Sequence, residues 1–307
     1  MTEVSSRAQQ PHAGEFVRQD STFRDWVAPE DFRPGRYHLY VAKACPWAHR
    51  TLIVRRLKGL EDAISVSYAD PIRDERGWAF TGGAYTEQIN GFGFLAEAYA
   101  ATDLEFHGRI SVPVLWDRQD GRIVNNESAD IIRMLNRFSD DGPDLYPEPL
   151  RPQIDAFNER IYSKLNNGVY RAGFASSQEA YRSAYEDVFE TLDWLEEHLA
   201  EHRYLASDDE PTEADWRLFT TLLRFDAVYV GHFKCNRNRL IDMPNLWGLA
   251  RELYQWPGVA ETVDLAQIKS HYYATHKRLN PTGIVPEGPR LDFTTPHGRE
   301  RLGSRAS

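Results

Sequence analysis

The residue best suited to do chemistry in this sequence is Cys45, one of two cysteines among 307 residues. It lies in the segment KACPWAHRTL (43–52), directly before Pro46 and a run of apolar residues at helical spacing. A proline in the first helical position predicts that a helix begins at Pro46 and that Cys45 caps it. The free N–H groups and the positive end of a helix favour a thiolate at such a position. The segment therefore predicts a nucleophilic cysteine.

The chemistry that this segment predicts uses a single thiol. The residue three positions after Cys45 is Ala48, so no neighbouring thiol can close an internal disulfide. A mixed disulfide on Cys45 must then be resolved by an external thiol such as glutathione. His49 follows within one helical turn, but we interpret it as structural because the thiol faces off the helix end. Cys235, in HFKCNRN, has no comparable setting and is interpreted as structural too.

The elements around Cys45 follow the order of a thioredoxin-like α/β domain. Four runs rich in β-forming residues predict strands at 37–42, 64–69, 111–116 and 122–125. Helical spacing predicts helices over 46–57 and 126–138. The order is β-α-β, an insert with weak periodicity, and then β-β-α. Pro113, at the start of the third strand, matches the usual cis-proline site of that fold.

The second half of the chain is predicted to be helical. The proline-rich segment DDGPDLYPEPLRP (140–152) marks a boundary, and apolar residues recur at helical spacing beyond it. The sequence therefore predicts several parts, which are an N-terminal arm (1–36), a thioredoxin-like domain (37–139) with an insert (70–108), an all-helical domain (153–276) and a tail (277–307) that wraps the surface.

Composition argues against several classes of protein. The net charge of −10 argues against nucleic-acid binding and against attraction to anionic membranes. No apolar run is long enough to span a bilayer, and the first residues lack the pattern of a signal peptide. Two cysteines form no disulfide framework, which predicts a cytoplasmic protein. No zinc-ligand spacing or glycine-rich phosphate loop is found, so we expect no metal site and no permanently bound cofactor.

A set of motifs carries a resemblance to a known family. These are CPWAHR (45–50), RGWAF (76–80), RISVPVLWD (109–117), NNES (125–128), NNGVYRAGFA (166–175) and IKSHYYATH (268–276). Together they resemble the glutathionyl-hydroquinone reductases, which form the Xi class of glutathione transferases. The resemblance covers most of the chain between residues 37 and 276. It implies a glutathione-binding thioredoxin-like domain, an all-helical substrate-binding domain and a homodimer.

The resemblance also implies a reaction and its catalytic residues. Cys45 would attack the sulfur of a glutathionyl-hydroquinone, and Tyr170 would donate a proton to the aromatic carbon that leaves. A second glutathione would then free Cys45 and leave as glutathione disulfide. Tyr229 and Tyr272 match tyrosines that hold the family's nucleophile in its thiolate form. Tyr273 is adjacent to Tyr272, so the choice between these two stays open.

The same resemblance implies which residues bind glutathione as a co-substrate. Glu127 and Ser128, at a predicted helix start, would bind the γ-glutamyl end. Trp78, in the insert, would pack against the ligand or donate a hydrogen bond to it. The segment before Pro113 would pair its backbone with the cysteinyl part, and it consists of Arg109, Ile110, Ser111 and Val112. The cation of Arg109 could also bind a carboxylate.

Other functions share parts of this pattern. An omega-type thiol transferase that reduces dehydroascorbate would also have the Cys-Pro helix start, but NNGVYRAGFA and RGWAF favour the Xi class. A non-catalytic scaffold of the glutathione transferase type would need neither Cys45 nor Tyr170. A papain-like protease lacks support, because the glycine-rich context of such a nucleophile is missing.

Overall fold

The computed structural model describes residues 13–303, so the ends of the predicted arm (1–12) and tail (304–307) lie outside the described residues. Four strands form one mixed sheet in the order β2-β1-β3-β4. Their bounds are β1 Tyr37–Val41, β2 Ser65–Tyr68, β3 Val114–Asp117 and β4 Arg122–Asn125. Strand β2 runs parallel to β1, whereas β3 is antiparallel to both β1 and β4.

Three helices accompany this sheet, and they are α1 Pro46–Leu57, α2 Leu95–Thr102 and α3 Ser128–Arg137. The order β1-α1-β2 followed by β3-β4-α3 confirms the predicted thioredoxin-like arrangement. The peptide bond between Val112 and Pro113 is cis, as predicted. Helix α2 lies in the insert and was not predicted.

The rest of the chain is helical, which confirms the predicted fold class. Six helices follow the sheet in the described residues, and they are α4 Arg151–Ile161, α5 Gly168–Phe174, α6 Gln178–Glu201, α7 Glu213–Arg224, α8 Pro244–Tyr254 and α9 Leu265–Thr275. Two π-helical segments lie among them. Tyr162–Asn166 joins α4 to α5, and Phe225–Tyr229 extends α7. Such segments are frequent at functional sites.

Helix α7 connects the helical part to the sheet part. All of its residues are buried, and it packs against α1, α4 and α8. At its end, the guanidinium of Arg224 donates hydrogen bonds to the carbonyl oxygens of Lys43 (2.8 Å) and Ala44 (3.0 Å). Because these carbonyls immediately precede Cys45, the start of α1 lies at the junction of the two parts.

The described part of the N-terminal arm crosses this junction in an extended conformation. At one end the carbonyl oxygen of Gly14 accepts a hydrogen bond from the N–H of Ser176, just before α6. At the other end Arg24 forms a β-bridge with Asn125 at the end of β4. The arm therefore spans from the helical part to the edge of the sheet.

The described part of the tail (277–303) packs along the helical part. The ring of Phe293 is buried against Trp247 and Tyr254 of α8. Arg299 is buried as well and donates to the carbonyl oxygens of Leu199, His202 and Arg203, among others. Within residues 13–303, no helix combines the length and the apolar character needed to cross a membrane.

Candidate active site

Cys45 occupies the N-cap position of α1 with an extended backbone (φ −76°, ψ 122°), as the sequence predicts. The thiol is free and half-buried. Its Sγ atom lies 3.5 Å from the carbonyl oxygen of Val112, the residue before the cis-proline. The thiol therefore sits between the positive end of a helix and the segment before Pro113.

Positive side chains surround the thiol although the chain as a whole carries a net charge of −10. Arg73 and Arg109 both lie close enough for their charges to interact with a Cys45 thiolate. Burial lowers the pKa of Arg73, whereas the nearby Cys45 raises it. The site thus supplies the local positive potential that an anionic ligand requires.

An open cavity of about 730 Å³ has Cys45 in its wall. Six of the predicted glutathione-binding residues line it as well, and they are Trp78, Arg109, Ser111, Val112, Glu127 and Ser128. Ile110 does not line the cavity, because its half-buried side chain packs against the core.

Helix α3 begins at Ser128 with Glu127 as its N-cap, so the helix starts two residues after the predicted start at 126. The Glu127 carboxylate caps the helix by accepting a hydrogen bond from the N–H of Ala129 at 3.0 Å. It also accepts one from the hydroxyl of Ser21 at 2.9 Å, so the arm reaches this end of the cavity. A carboxylate and a helix N-terminus together suit a ligand end that carries both an ammonium and a carboxylate.

Tyr99 of α2 holds the segment before the cis-proline in place. Its hydroxyl donates to the carbonyl oxygen of Ser111 (2.8 Å) and accepts from the N–H of Ser111 (3.2 Å). The main chain of Ser111 is therefore already bound. Among residues 13–303, the N–H of Val112 meets no hydrogen-bond acceptor. Val112 thus has a main-chain donor available to a ligand.

Trp78 is buried in the wall of the cavity, with one ring face against His271. The two ring centroids are 5.0 Å apart and nearly parallel. The guanidinium of Arg73 lies 5.4 Å from the same indole ring. The indole N–H donates to no residue in the described part of the chain, so it is available to a ligand.

The three predicted catalytic tyrosines meet in one buried cluster. The hydroxyls of Tyr170 and Tyr272 are hydrogen-bonded, and the hydroxyl of Tyr229 lies 3.3 Å from that of Tyr272. Burial raises the pKa of all three phenols, which keeps them neutral at neutral pH. Tyr273 lies outside the cluster, with its ring against His232. Of the two tyrosines that the sequence left open, Tyr272 is the one in the cluster.

The tyrosine cluster lies beside the cavity wall and not in it. Tyr170 contacts two residues that line the cavity, since its ring centroid is 6.2 Å from that of Trp47 and 4.6 Å from the guanidinium carbon of Arg18. The charge of Cys45 also raises the pKa of Tyr170, after the larger effect of burial. Within residues 13–303, none of the three hydroxyls is hydrogen-bonded to the Cys45 thiol.

Comparisons with known proteins identify relatives of this chain. Models of the glutathione S-transferase N-terminal and C-terminal domains match residues 44–137 and 178–252. The chain is 52% identical over 284 residues to glutathionyl-hydroquinone reductase PcpF of Sphingobium chlorophenolicum, covering 90% of both chains. It also superimposes on a solved Xi-class glutathione transferase of Natrialba magadii with a TM-score of 0.90 and 48% identity, covering 94% of this chain and 93% of the other.

The chain belongs to the Xi class of glutathione transferases. A further relative of this class is glutathionyl-hydroquinone reductase YqjG of Escherichia coli, which is 50% identical over 306 residues, covering 94% of this chain and 93% of the relative. Its solved structure contains bound glutathione and matches with a TM-score of 0.87 at 48% identity, covering 90% of this chain and 96% of the other.

His49 and Cys235, which the sequence analysis interpreted as structural residues, are both buried in this Xi-class chain. His49 is fully buried; its Nε2 lies 2.8 Å from the hydroxyl of Thr262, and its Nδ1 faces Arg224 at 3.3 Å. Burial lowers the pKa of His49, and the ring does not contact Cys45. Burial raises the pKa of Cys235 to about 12, as expected for an inert thiol. Residues 13–303 contain no cluster of His, Cys, Asp or Glu that could hold a metal ion.

The sequence analysis missed the contribution of the arm to the Xi-class site. Arg18 and Ser21 line the cavity, and Arg24 anchors the arm through two hydrogen bonds of 2.7 Å to Asp130. The analysis also missed Tyr99 and Arg224. None of these residues has a local signal, because each acts on a partner at least 12 positions away.

Proposed function

We propose that this Xi-class protein reduces glutathionyl-hydroquinones to hydroquinones at the expense of glutathione. The observation that carries the proposal is the position of Cys45, which caps a helix in the wall of a cavity that also contains Val112, Glu127 and Ser128. A buried cluster of neutral phenols adjoins this cavity. Relatives at 50–52% identity that are named glutathionyl-hydroquinone reductases support the same reaction.

In the proposed first step, the Cys45 thiolate attacks the sulfur that joins glutathione to the aromatic ring. A sulfur–sulfur bond forms, the carbon–sulfur bond breaks, and its electron pair stays with the aromatic part. The ring carbon gains a proton, for which Tyr170 is the proposed donor. A phenol whose pKa is raised by burial still carries its proton at neutral pH, and Tyr272 can stabilise the phenolate that the transfer leaves.

In the proposed second step, the thiolate of a second glutathione attacks the mixed disulfide on Cys45. Glutathione disulfide leaves and the Cys45 thiolate returns, so two glutathione sulfurs are oxidised while one ring carbon is reduced. We assign the γ-glutamyl end to Glu127 and Ser128 and the cysteinyl main chain to Val112. Trp78 and Arg109 also line the cavity and would contact the tripeptide. The reaction needs glutathione only as a co-substrate.

A turnover assay tests this proposal. The purified protein is mixed with glutathionyl-menadiol and excess glutathione, and glutathione disulfide is followed over time. Cys45→Ser should abolish turnover, whereas the matched variant Cys235→Ser should keep it, because Cys235 is buried away from the cavity. Substantial turnover by Cys45→Ser would disprove the role of the nucleophile.

The same assay separates the alternatives. If the wild-type protein fails with glutathionyl-menadiol but reduces dehydroascorbate, the function is that of an omega-type enzyme. If both substrates fail, and iodoacetamide alkylates Cys45 at pH 6 no faster than a free thiol, the protein is a non-catalytic scaffold. Either result would refute the proposed function.

Three further predictions accompany the proposed function. We expect the sheet part (37–139) to bind glutathione and the helical part (153–276) to bind the aromatic group. We expect a homodimer, which light scattering would detect as twice the chain mass of 35.4 kDa. We also expect a cytoplasmic location, since the reaction consumes reduced glutathione.

A further inference from the structure

Arg18, on the N-terminal arm, has its guanidinium among the aromatic rings beside the thiol. The guanidinium carbon lies 4.6 Å from the ring centre of Tyr170, 4.8 Å from that of Trp47 and 5.5 Å from that of Phe16. Its Nε donates a hydrogen bond of 2.7 Å to the side-chain oxygen of Asn167. Asn167 belongs to the motif NNGVYRAGFA, three positions before Tyr170. The motif and the arm thus fix this cation from two sides.

The terminal nitrogens of Arg18 have no hydrogen-bond partner in the part of the chain that the structure describes. Nη2 is fully buried and unpaired, whereas Nη1 is unpaired without being enclosed. The residue lines the same cavity as Cys45. A buried guanidinium nitrogen that has no hydrogen-bond acceptor is unfavourable unless a ligand supplies an oxygen. The site therefore has an unfilled place for an anionic or hydroxyl oxygen.

The position of Arg18 indicates which part of the conjugate supplies that oxygen. Its ring contacts and its bond to Asn167 place it on the side of the tyrosine cluster, and its charge lowers the pKa of Tyr170. The γ-glutamyl end is assigned to the start of α3, where Glu127 accepts from Ser21. Aromatic rings that flank a cation suit a flat ring bearing a hydroxyl group.

We propose that Arg18 binds a hydroxyl oxygen of the aromatic part of the substrate and stabilises the negative charge that forms on it. This inference rests on the proposed function. When Tyr170 protonates the ring carbon that bears the sulfur, the neighbouring hydroxyl loses its proton to water and becomes a carbonyl. Cys45 then takes the glutathionyl sulfur, and the electron pair of the carbon–sulfur bond moves through the ring to that oxygen. The product is a phenolate, which Arg18 binds until a proton from water converts it into the hydroquinone.

The test compares two reactions of the full chain that differ in the leaving group. The first is turnover of glutathionyl-menadiol with glutathione. The second is formation of the Cys45–glutathione adduct from glutathione disulfide, followed by mass spectrometry, in which the leaving group is a thiolate and no aromatic oxygen takes part. Arg18→Met removes the cation and keeps much of the volume. Arg18→Lys keeps the charge but loses the planar fork.

We expect Arg18→Met to lower kcat for glutathionyl-menadiol by about 100-fold, as for the loss of one donor that stabilises a developing oxyanion. Adduct formation from glutathione disulfide should stay close to the wild-type rate, because no aromatic oxygen takes part in it. Arg18→Lys should recover part of the lost rate in the first reaction only. Arg24→Met is the matched control. Arg24 lies on the same arm as Arg18, pairs with Asp130 of α3 and does not line the cavity.

Several results would overturn the inference. Equal losses in both reactions would mean that Arg18 binds a glutathionyl carboxylate or supports the fold of the site. An unchanged rate in the first reaction would mean that it binds no reacting oxygen. A loss in Arg24→Met as large as that in Arg18→Met would assign the effect to the placement of the arm. Without wild-type turnover the proposed function fails as well, whereas turnover that Arg18→Met leaves unchanged overturns only the role of Arg18.

Discussion

The hydroxyl of Tyr170 is hydrogen-bonded to the hydroxyl of Tyr272, although the two residues are 102 positions apart in the chain. Tyr170 lies on α5 and Tyr272 on α9, and Tyr229 at the end of α7's π-helical extension approaches Tyr272 as well. Burial raises the pKa of Tyr170, while the hydrogen bond from Tyr272 opposes part of that rise. Tyr272 thereby makes its neighbour a better acid than burial alone would allow.

Removal of the Tyr170 hydroxyl should slow the reaction at the aromatic carbon only. We expect Tyr170→Phe to lower turnover of glutathionyl-menadiol by roughly 100-fold or more, because general acid catalysis contributes at least that much. Formation of the Cys45 adduct from glutathione disulfide should continue at close to the wild-type rate. Tyr181→Phe is a suitable control, since the Tyr181 hydroxyl donates to the carbonyl oxygen of Lys234 outside the cavity. Wild-type turnover by Tyr170→Phe would refute the role of proton donor.

Acid should destabilise the fold through His38, a buried histidine of β1. Its ring nitrogens lie 2.7 Å from the hydroxyl of Ser65 and 2.9 Å from that of Ser67. Burial lowers its pKa from 6.5 to about 4. Between these two values the unfolded chain binds a proton at this ring and the folded chain does not, so the free energy of unfolding falls as the pH falls through this window.

The size of this effect can be measured by difference. A pKa that falls from 6.5 to about 4 corresponds to roughly 3 kcal/mol of lost stability once the pH is below both values. Urea unfolding at several pH values between 7 and 4, on wild type and His38→Gln, gives the slope for each. The variant should lose less stability with acid than the wild type. Parallel curves would show that His38 is protonated to the same extent in both states.

Arg224 should position the segment that precedes Cys45. Replacement by Met removes the donors for the carbonyl oxygens of Lys43, which is partly buried, and of Ala44, which is buried. We expect a loss of about 2–5 kcal/mol in the free energy of unfolding, since each unsatisfied buried group costs about 1–3 kcal/mol. The rate of Cys45 alkylation by iodoacetamide should change as well, because the helix cap is no longer held.

A matched variant separates this positioning role from a general effect of lost charge. Arg239 is exposed and pairs with Asp242 at the surface. Arg239→Met should change the free energy of unfolding by no more than about 0.5 kcal/mol and leave the alkylation rate as it is. If Arg224→Met behaved in the same way, the hydrogen bonds from Arg224 to Lys43 and Ala44 would contribute nothing to the free energy of unfolding.

The close approach of Phe233 explains why the motif NNGVYRAGFA has a glycine at position 173. A Cβ atom there would lie 2.2 Å from the ring of Phe233, which is fully buried and stacks on Tyr229. Gly173→Ala should therefore push this ring toward the tyrosine cluster, at a cost of about 1–3 kcal/mol in stability, and lower turnover. Thermal unfolding and the menadiol assay measure both effects. Gly93→Ala is the control, since a Cβ atom at Gly93 would lie 3.5 Å from its nearest neighbour, the side chain of Glu97. It should change neither the stability nor the turnover. Equal effects of Gly93→Ala and Gly173→Ala would show that the contact with Phe233 has no influence.

Much of the fold was predictable because local rules determine it. Pro46 begins α1 and leaves Cys45 as its cap, and β4 matches its predicted bounds at both ends. Helix α2 was missed although LAEAYAAT (95–102) consists of good helix formers and Glu97 accepts from the N–H of Phe94 in its first turn. The glycines that surround this stretch obscured the helical pattern.

The parts of the site that escaped prediction depend on contacts between distant segments. Arg18 is held by Asn167, 149 positions later, and nothing near Arg18 in the sequence indicates this partner. Arg224 lies on a helix buried on every side, where apolar periodicity no longer distinguishes one face from another. The choice of Tyr272 over Tyr273 likewise needed the rotation of α9 relative to the tyrosines of α5 and α7, which the spacing of residues does not determine.

The clamp between Arg224 and the carbonyl oxygen of Lys43 joins residues that are 181 positions apart. A ribosome that adds about 5–20 residues per second needs roughly 10–40 s to synthesise this length of chain after Cys45 has been made. During that interval the helix start is formed without the arginine that will hold it. The hydrogen bonds that hold the segment before Cys45 can therefore form only after the helical part has been synthesised as far as Arg224.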